Sequence, residues 1–272
     1  MTDRRFLRAA RGVAHDSLAG ALEGHHLTPG LWHRIAWPLV DLCDSPGGAR
    51  DRQLLMGTRF CVLTSEAGQV FGFDEDDGYC GWLESGALGR DNAPTHWVAA
   101  PATHLYPAPD IKTRESGRLS MGARLQVTGF EGAFAETPAG YVPRVHLRAL
   151  GDWRDDPVAA ARDLLGTPYL WGGNSRDGID CSGLVQVARR ACGLPCPPDS
   201  DLQRAMSGAD VVPGAEEPGD LVFWAGHVAL VLAPGQMIHA NAHHMAVVIE
   251  DLETAIARIA AGGSQVLRRL RV

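Results

Sequence analysis

Cys181 stands in Gly178-Ile179-Asp180-Cys181-Ser182-Gly183-Leu184-Val185, where a glycine-bearing loop turns into an apolar-periodic stretch. A cysteine there occupies the positive end of a helix dipole, a setting expected to favour thiolate over thiol and to lower the pKa. Asp180 is placed to cap that helix, and the Cys181 N–H would face a pocket as one oxyanion donor. A buried helix cysteine without chemistry has the same local sequence, so a nucleophile here needs a base. His227 is the candidate, at the head of an apolar strand in Gly219-Asp220-Leu221-Val222-Phe223-Trp224-Ala225-Gly226-His227-Val228-Ala229. An aliphatic strand gains nothing from an imidazole at its mouth unless the ring bonds something. A hairpin at Pro234-Gly235 would bring His239, in Gln236-Met237-Ile238-His239-Ala240, beside His227. His239 could then hold the base in its productive tautomer, giving nucleophile, base and orienting residue. His243 and His244 follow in a loop and read as surface residues.

The elements that must carry these residues begin where composition shifts, at Leu150-Gly151-Asp152. Asp156-Pro157 opens a capped helix that Gly166 stops. A glycine-rich loop follows, then a second helix over 180–192 and strands over 221–224, 227–232, 237–240, 246–249 and 266–272. Helices first and antiparallel strands second make an α+β domain over 151–272.

Upstream, short apolar runs over 37–42, 59–63, 70–73 and 79–83 alternate with turn signals such as Asp76-Asp77-Gly78. That is the rhythm of a small antiparallel barrel, placed over 35–92. Met56-Gly57-Thr58-Arg59 recurs as Met121-Gly122-Ala123-Arg124, and Gly78-Tyr79-Cys80-Gly81-Trp82 as a shortened Gly140-Tyr141-Val142-Pro143. The echoes suggest a duplicated barrel over 93–150. Residues 1–34, broken by Gly20, Gly24, Pro29 and Gly30, read as a partly helical arm.

A chain of 272 residues with 45% hydrophobic and 21% charged residues is ordinary for a soluble globular protein. Its net charge of −7 argues against nucleic acid, whose phosphates need concentrated Lys and Arg. The acidic run from Asp74 to Asp77 reads as a solvated turn, lacking calcium-loop spacing. Arg4, Arg5, Arg8 and Arg11 precede any long apolar stretch, so no secretory signal is expected. No apolar run approaches the ~20 residues that span a bilayer. A cytoplasmic location is expected, with no membrane partner and with the six cysteines reduced. Cys192 and Cys196 with His243 and His244 do not make a convincing zinc site, since the spacing is loose and Pro195 interrupts it.

Gly-x-Pro-Tyr-x-Trp-Gly-Gly from Gly166, Asp-Cys-Ser-Gly from Asp180, Gly-Asp-Leu-Val-Phe from Gly219, Gly-His-Val from Gly226 and Met-Ile-His-Ala from Met237 occur in order over residues 156–272. Together they resemble the NlpC/p60 peptidases. The resemblance implies a papain-like α+β core in which Cys181 attacks an amide carbonyl, His227 shuttles the proton and His239 orients it. Tyr169 matches a tyrosine whose hydroxyl can assist the oxyanion, while Trp171 fits a pocket wall as well as a core. Asp180, Ser182 and Ser200 match positions lining the substrate groove. The upstream half resembles the tandem bacterial SH3 barrels of enzymes that cut γ-D-glutamyl bonds to diaminopimelate or lysine in murein peptides with a free N-terminal L-Ala. In those relatives the first barrel closes one end of the cleft, and an acid and a tyrosine from it hold the peptide's ammonium. The tyrosine matches Tyr79. The acid falls on Asp51, which is glutamate in the relatives, so the side chain is shorter here.

The fold expectation is therefore α+β, a papain-like catalytic domain preceded by two small SH3-like β-barrels. The expected function is a cytoplasmic cysteine endopeptidase that recycles murein-derived peptides, with no metal or organic cofactor. An exported hydrolase of intact wall, a catalytically silent peptide-binding protein and an acyl-transferring relative are the rival readings.

Overall fold

A computed structural model describes residues 3–272, and its internal contacts divide the chain into two units, Met1–Leu150 and Gly151–Val272. In the first unit, β-branched and aromatic residues over 31–89 form a seven-stranded sheet. Its spatial order is Leu88–Gly89, Leu31–Ile35, Arg59–Glu66, Gln69–Asp74, Cys80–Glu84, Leu39–Cys43 and Arg50–Leu55. Ile35, Val40, Leu42, Leu54, Phe60, Val70 and Leu83 fill its interior. The first strand starts at Leu31, ahead of the boundary expected at 35.

The arm before it contains no α-helix among its described residues. It has two single 3₁₀ turns, Arg4–Phe6 and Asp16–Leu18, and a three-stranded sheet of Ala9–Ala10, Val13–His15 and His26–Thr28. Glycines at 12, 20, 24 and 30, all with positive φ, keep any helix from propagating. Ala10 and Val13 instead cover an apolar patch of Cys61, Leu63, Phe71, Phe73 and Trp82.

Residues 93–150 form three small sheets rather than one, but several of their hydrogen bonds repeat those of the first set. The Gly57 N–H donates to the Ile35 carbonyl at 2.8 Å, and the Gly122 N–H to that of Val98 at 3.0 Å. Met56 donates to Pro38 and Met121 to Pro101, each at 3.2 Å. The strand bridges Cys43↔Trp82 and Tyr106↔Tyr141 also correspond. That register corrects the second sequence echo: Tyr141 stands where Trp82 stands, not where Tyr79 does. The two sets also touch, since a Cβ on Gly57 would lie 2.1 Å from the Arg124 carbonyl oxygen.

The acidic run is a turn with Glu75 and Asp76 exposed, as expected, but its ends are covered. Asp74 is 1% exposed, and Arg52 reaches Asp77 at 2.7 Å and Asp74 at 3.6 Å. Glu75 pairs with Arg59 and Asp76 with Arg124. Each acid thus faces an arginine from another strand, a partnership that no local spacing announces.

The second unit packs helices on a six-stranded antiparallel sheet. Its order is Ala209–Asp210, Arg268–Arg271, Leu221–Trp224, His227–Ala233, Gln236–Asn241 and Ala246–Asp251. The first helix, Pro157–Arg162, is capped by Asp156, whose carboxylate accepts from Val158 N at 2.7 Å. The second, Cys181–Ala191, buries Leu184, Val185 and Ala188. Each large apolar side chain so buried contributes roughly 1.5–3 kcal/mol. Two further helices, Ser200–Arg204 and Leu252–Ala261, lie outside the sequence expectation. Among the described residues no helix is long and apolar enough to cross a membrane.

Candidate active site

Asp180 sets the nucleophile in place. It is the N-cap of the Cys181–Ala191 helix, and its Oδ1 accepts from Gly183 N at 2.7 Å and from the Ser182 hydroxyl at 3.0 Å. Its Oδ2 accepts from Gly172 N at 3.0 Å, so one carboxylate ties the glycine-rich loop to the helix start. Gly183 is required at the same junction, because a Cβ there would sit 2.4 Å from the Gly173 carbonyl oxygen. Asp180 and Ser182, both expected to line the groove, have their side-chain oxygens engaged with each other or with the main chain.

Cys181 is the first residue of the helix and is 6% exposed. Its sulfur lies 4.0 Å from the carbonyl oxygen of Gly226, the residue before His227. Burial pushes the thiol up to about 12, with the Asp180 charge acting in the same sense. The N–H groups of Val228, Ser182 and Cys181 itself pull the other way and are outweighed. The helix-dipole expectation of a lowered pKa is thus overturned. Desolvation of a buried thiolate exceeds what one helix N-terminus returns.

His227 begins the strand His227–Ala233, and the register Leu230↔Ile238 makes His239 its diagonal neighbour. Diagonal pairs are within reach of long and aromatic side chains. The rings lie 5.1 Å apart, and His227 Nε2 is 2.9 Å from His239 Nδ1. His239, 1% exposed, has its Nε2 2.6 Å from Glu250 Oε2. A carboxylate only accepts, so the proton sits on His239 Nε2. His239 Nδ1 is then an acceptor, His227 Nε2–H donates to it, and His227 Nδ1 is left as the basic nitrogen. Asn241 Nδ2 lies 2.9 Å from His239 Nε2, and its Oδ1 is held by the His244 N–H at 2.8 Å. An amide N–H can bond to His239 Nε2 only when that nitrogen is bare, so Asn241 and Glu250 favour opposite tautomers, and the charged carboxylate outweighs the neutral amide.

Burial drives His227 down to about 3, with the neighbouring His239 and Arg258 adding to the effect. His239 is lowered as well, chiefly by burial, against the pull of Glu250. Burial thus favours the neutral form of both groups. Tyr169 is half-buried, and burial with the nearby Cys181 and Asp180 pushes its phenol up to about 12. Its hydroxyl keeps its proton and can donate. Trp171 is 68% exposed and so not part of the core. Ser200 opens the short helix Ser200–Arg204 and is half-buried.

Asp51 and Tyr79 belong to the first unit. Arg4 forms a two-pronged pair with Asp51, 2.7 Å on each arm. Tyr79 is 2% exposed, with Phe6 edge-on at 6.0 Å and the Arg52 guanidinium 5.5 Å from its ring. Neither Glu250, Arg258 nor Asn241 was among the sequence candidates. The available signal was the hairpin register, since Met237↔Glu250 puts Glu250 diagonal to His239. All six cysteines are free thiols. Among the described residues no group of three or more His, Cys, Asp or Glu could hold a metal ion.

Comparison with known proteins places this geometry in context. Residues 166–260 match the NlpC/P60 family, and residues 42–88 match the bacterial dipeptidyl-peptidase SH3 domain. The gamma-D-glutamyl-L-lysine dipeptidyl-peptidase of Bacillus cereus is 29% identical over 206 residues, covering 66% of this chain and 61% of that protein. Dipeptidyl-peptidase 6 of Lysinibacillus sphaericus is 36% identical over 89 residues, 33% of each chain. The matches thus span less than two thirds of these relatives. The crystal structure of an NlpC/P60 family protein from Bacillus cereus superposes with a TM-score of 0.75 at 22% identity. It covers 89% of this chain and 99% of that one, a likeness of fold.

Proposed function

Because the chain carries a bacterial dipeptidyl-peptidase SH3 domain followed by an NlpC/P60 domain, we propose that it is a cysteine peptidase with Cys181 as nucleophile. The observation that carries this reading is the relay from His227 through His239 to Glu250, with the buried Cys181 sulfur 4.0 Å from the carbonyl oxygen of Gly226, the residue before His227. Substrate binding brings an amide carbonyl to the sulfur. The thiol proton passes to His227 Nδ1 as sulfur attacks, in keeping with the burial that favours the neutral thiol. The N–H groups of Cys181 and Ser182 and the Tyr169 hydroxyl receive the oxyanion. His227 then returns its proton to the departing amine, leaving a thioester. Water, deprotonated by His227, hydrolyses the thioester and restores the thiol.

The finer proposal concerns the substrate, a free murein peptide cut at the γ-D-glutamyl bond to lysine or diaminopimelate. The Bacillus cereus relative is named for cleavage of that type, as a gamma-D-glutamyl-L-lysine dipeptidyl-peptidase. In this reading Asp51 and Tyr79 receive the ammonium of an N-terminal L-Ala. Arg4, which now holds the Asp51 carboxylate, gives way to it. An acylated N-terminus carries no charge to displace Arg4, so a blocked peptide could not make this exchange. Cytoplasmic recycling of trimmed peptides is the role that fits such selectivity, and residues 93–150 would act as a second SH3-like barrel. The test is cleavage of L-Ala-γ-D-Glu-L-Lys and its diaminopimelate counterpart, with free and N-acetylated ends, alongside purified sacculi. Preferred cleavage of the free peptides supports the proposal. Equal cleavage of blocked peptides, or digestion of intact sacculi, removes the amine-site and recycling parts.

A further inference from the structure

The strand Ala246–Asp251 delivers Glu250 to the far side of the orienting histidine, and the helix Leu252–Ala261 returns Arg258 to the same carboxylate. Glu250 Oε2 lies 2.6 Å from His239 Nε2 and 2.6 Å from an Arg258 guanidinium nitrogen. His244 Nδ1 is further off, at 3.8 Å. The Glu250 side chain is 15% exposed and that of His239 is fully covered. We propose that Glu250, held by Arg258, is the positioning residue that fixes the tautomers of both histidines and so decides which nitrogen of His227 is basic. The inference rests on the cysteine-peptidase reading, in which His227 Nδ1 takes the thiol proton.

The physical argument is one of proton counting. Two neutral imidazoles in contact share one proton along the bond, and that bond can be polarised in either direction. His227 Nε2–H donating to His239 Nδ1 leaves His227 Nδ1 bare and competent. His239 Nδ1–H donating to His227 Nε2 puts the remaining proton on His227 Nδ1 and removes the base. Nothing within the pair chooses between the two. An acceptor-only group at His239 Nε2 does choose, because it demands the proton there. Glu250 must be ionised to act so; burial opposes its charge, but Arg258 and His239 more than offset that and hold the carboxyl below its ordinary range. The same negative charge lies two bonds from the imidazolium that forms on His227 during attack. A Ser, Asn or Gln at 250 could accept a hydrogen bond but would supply no charge.

The test compares Glu250→Gln, Glu250→Leu and Arg258→Met in the full chain, each first checked by thermal melting. Glu250→Leu should lower kcat about 10²-fold or more, as expected when a catalytic histidine can adopt its wrong tautomer, with KM little changed. Glu250→Gln, which keeps an oxygen acceptor, should recover part of that loss. Two-dimensional ¹⁵N–¹H spectra of the histidine side chains report the tautomer directly and need no substrate. Wild type should show His227 protonated on Nε2 and His239 on Nε2; Glu250→Leu should show a mixture or the reversed pair. Unchanged spectra in a folded Glu250→Leu protein, or kcat within threefold of wild type, would overturn the proposal. The spectral arm keeps it decidable even if the peptide substrates prove wrong. A failure of the peptidase reading shows up as wild-type inactivity with the tautomers as described.

Discussion

Replacing Asp180 separates two jobs that one carboxylate performs at the nucleophile. In Asp180→Ala the helix loses its N-cap, a change that costs about 0.5–2 kcal/mol. The Gly172 N–H, bonded to Oδ2 at 3.0 Å, is left without that acceptor, which adds about 1–3 kcal/mol if water does not replace it. The sum is a destabilisation of about 1.5–5 kcal/mol, read as a lower urea midpoint at unchanged m value. Asp180→Asn keeps an oxygen for Gly183 N and Ser182 but turns an amide toward Gly172, so only the second cost applies. Both variants also remove the negative charge that helps burial raise the Cys181 pKa. Losing a nearby negative charge favours the thiolate, so the pKa of Cys181 falls and its alkylation near pH 7 accelerates. The measurement is urea unfolding of both variants with iodoacetamide kinetics on Cys181 for Asp180→Asn. A cost under about 0.5 kcal/mol for Asp180→Ala, or slower alkylation in folded Asp180→Asn, would refute this reasoning.

With the thiol pushed up to about 12, alkylation of wild-type Cys181 should keep accelerating from pH 6 to pH 10; a plateau from pH 5 upward would mean a resting thiolate–imidazolium pair instead. His227, ordinarily near 6.5 and held near 3 here, makes the unfolded chain bind a proton first as pH falls. Its stabilisation is complete above pH 6.5 and lost between there and about 3, at up to about 1.4 kcal/mol per pH unit. Asp74, raised to about 7 by burial with Asp77 nearby, acts in the opposite sense over that range, so the quantity to measure is wild type minus His227→Asn; a pH-independent difference would contradict the burial of the ring. Gly183→Ala should cost about 1–3 kcal/mol, since the added Cβ meets main chain that cannot swing aside, and a neutral substitution would show that the loop is free to move.

The sequence made the nucleophile helix and the His227 and His239 strands legible because each begins at a local signal. Asp180 caps one, Gly226 turns into another, and Pro234-Gly235 closes the hairpin between them. What escaped was set by partners distant in the chain. Glu250 became relevant only once the Ala246–Asp251 strand was in register with Gln236–Asn241, and loop length alone does not give that register. The helix Leu252–Ala261 was readable, with Asp251 capping Thr254 N at 2.8 Å and apolar residues at 252, 255, 256 and 259, but strand signals on both sides masked it. The acids 74–77 make the turn that the sequence suggests, with Glu75 and Asp76 exposed, but the burial of Asp74 and Asp77 against Arg52 depends on another strand. The sign of the Cys181 shift failed for a similar reason. Sequence shows the helix dipole but not how thoroughly the thiol is covered.

The most direct test is mass spectrometry of the products formed from L-Ala-γ-D-Glu-diaminopimelate by wild type and by Cys181→Ala. The account predicts L-Ala-D-Glu and free diaminopimelate from wild type and intact tripeptide with the variant. Release of the dipeptide by Cys181→Ala at the wild-type rate would contradict it.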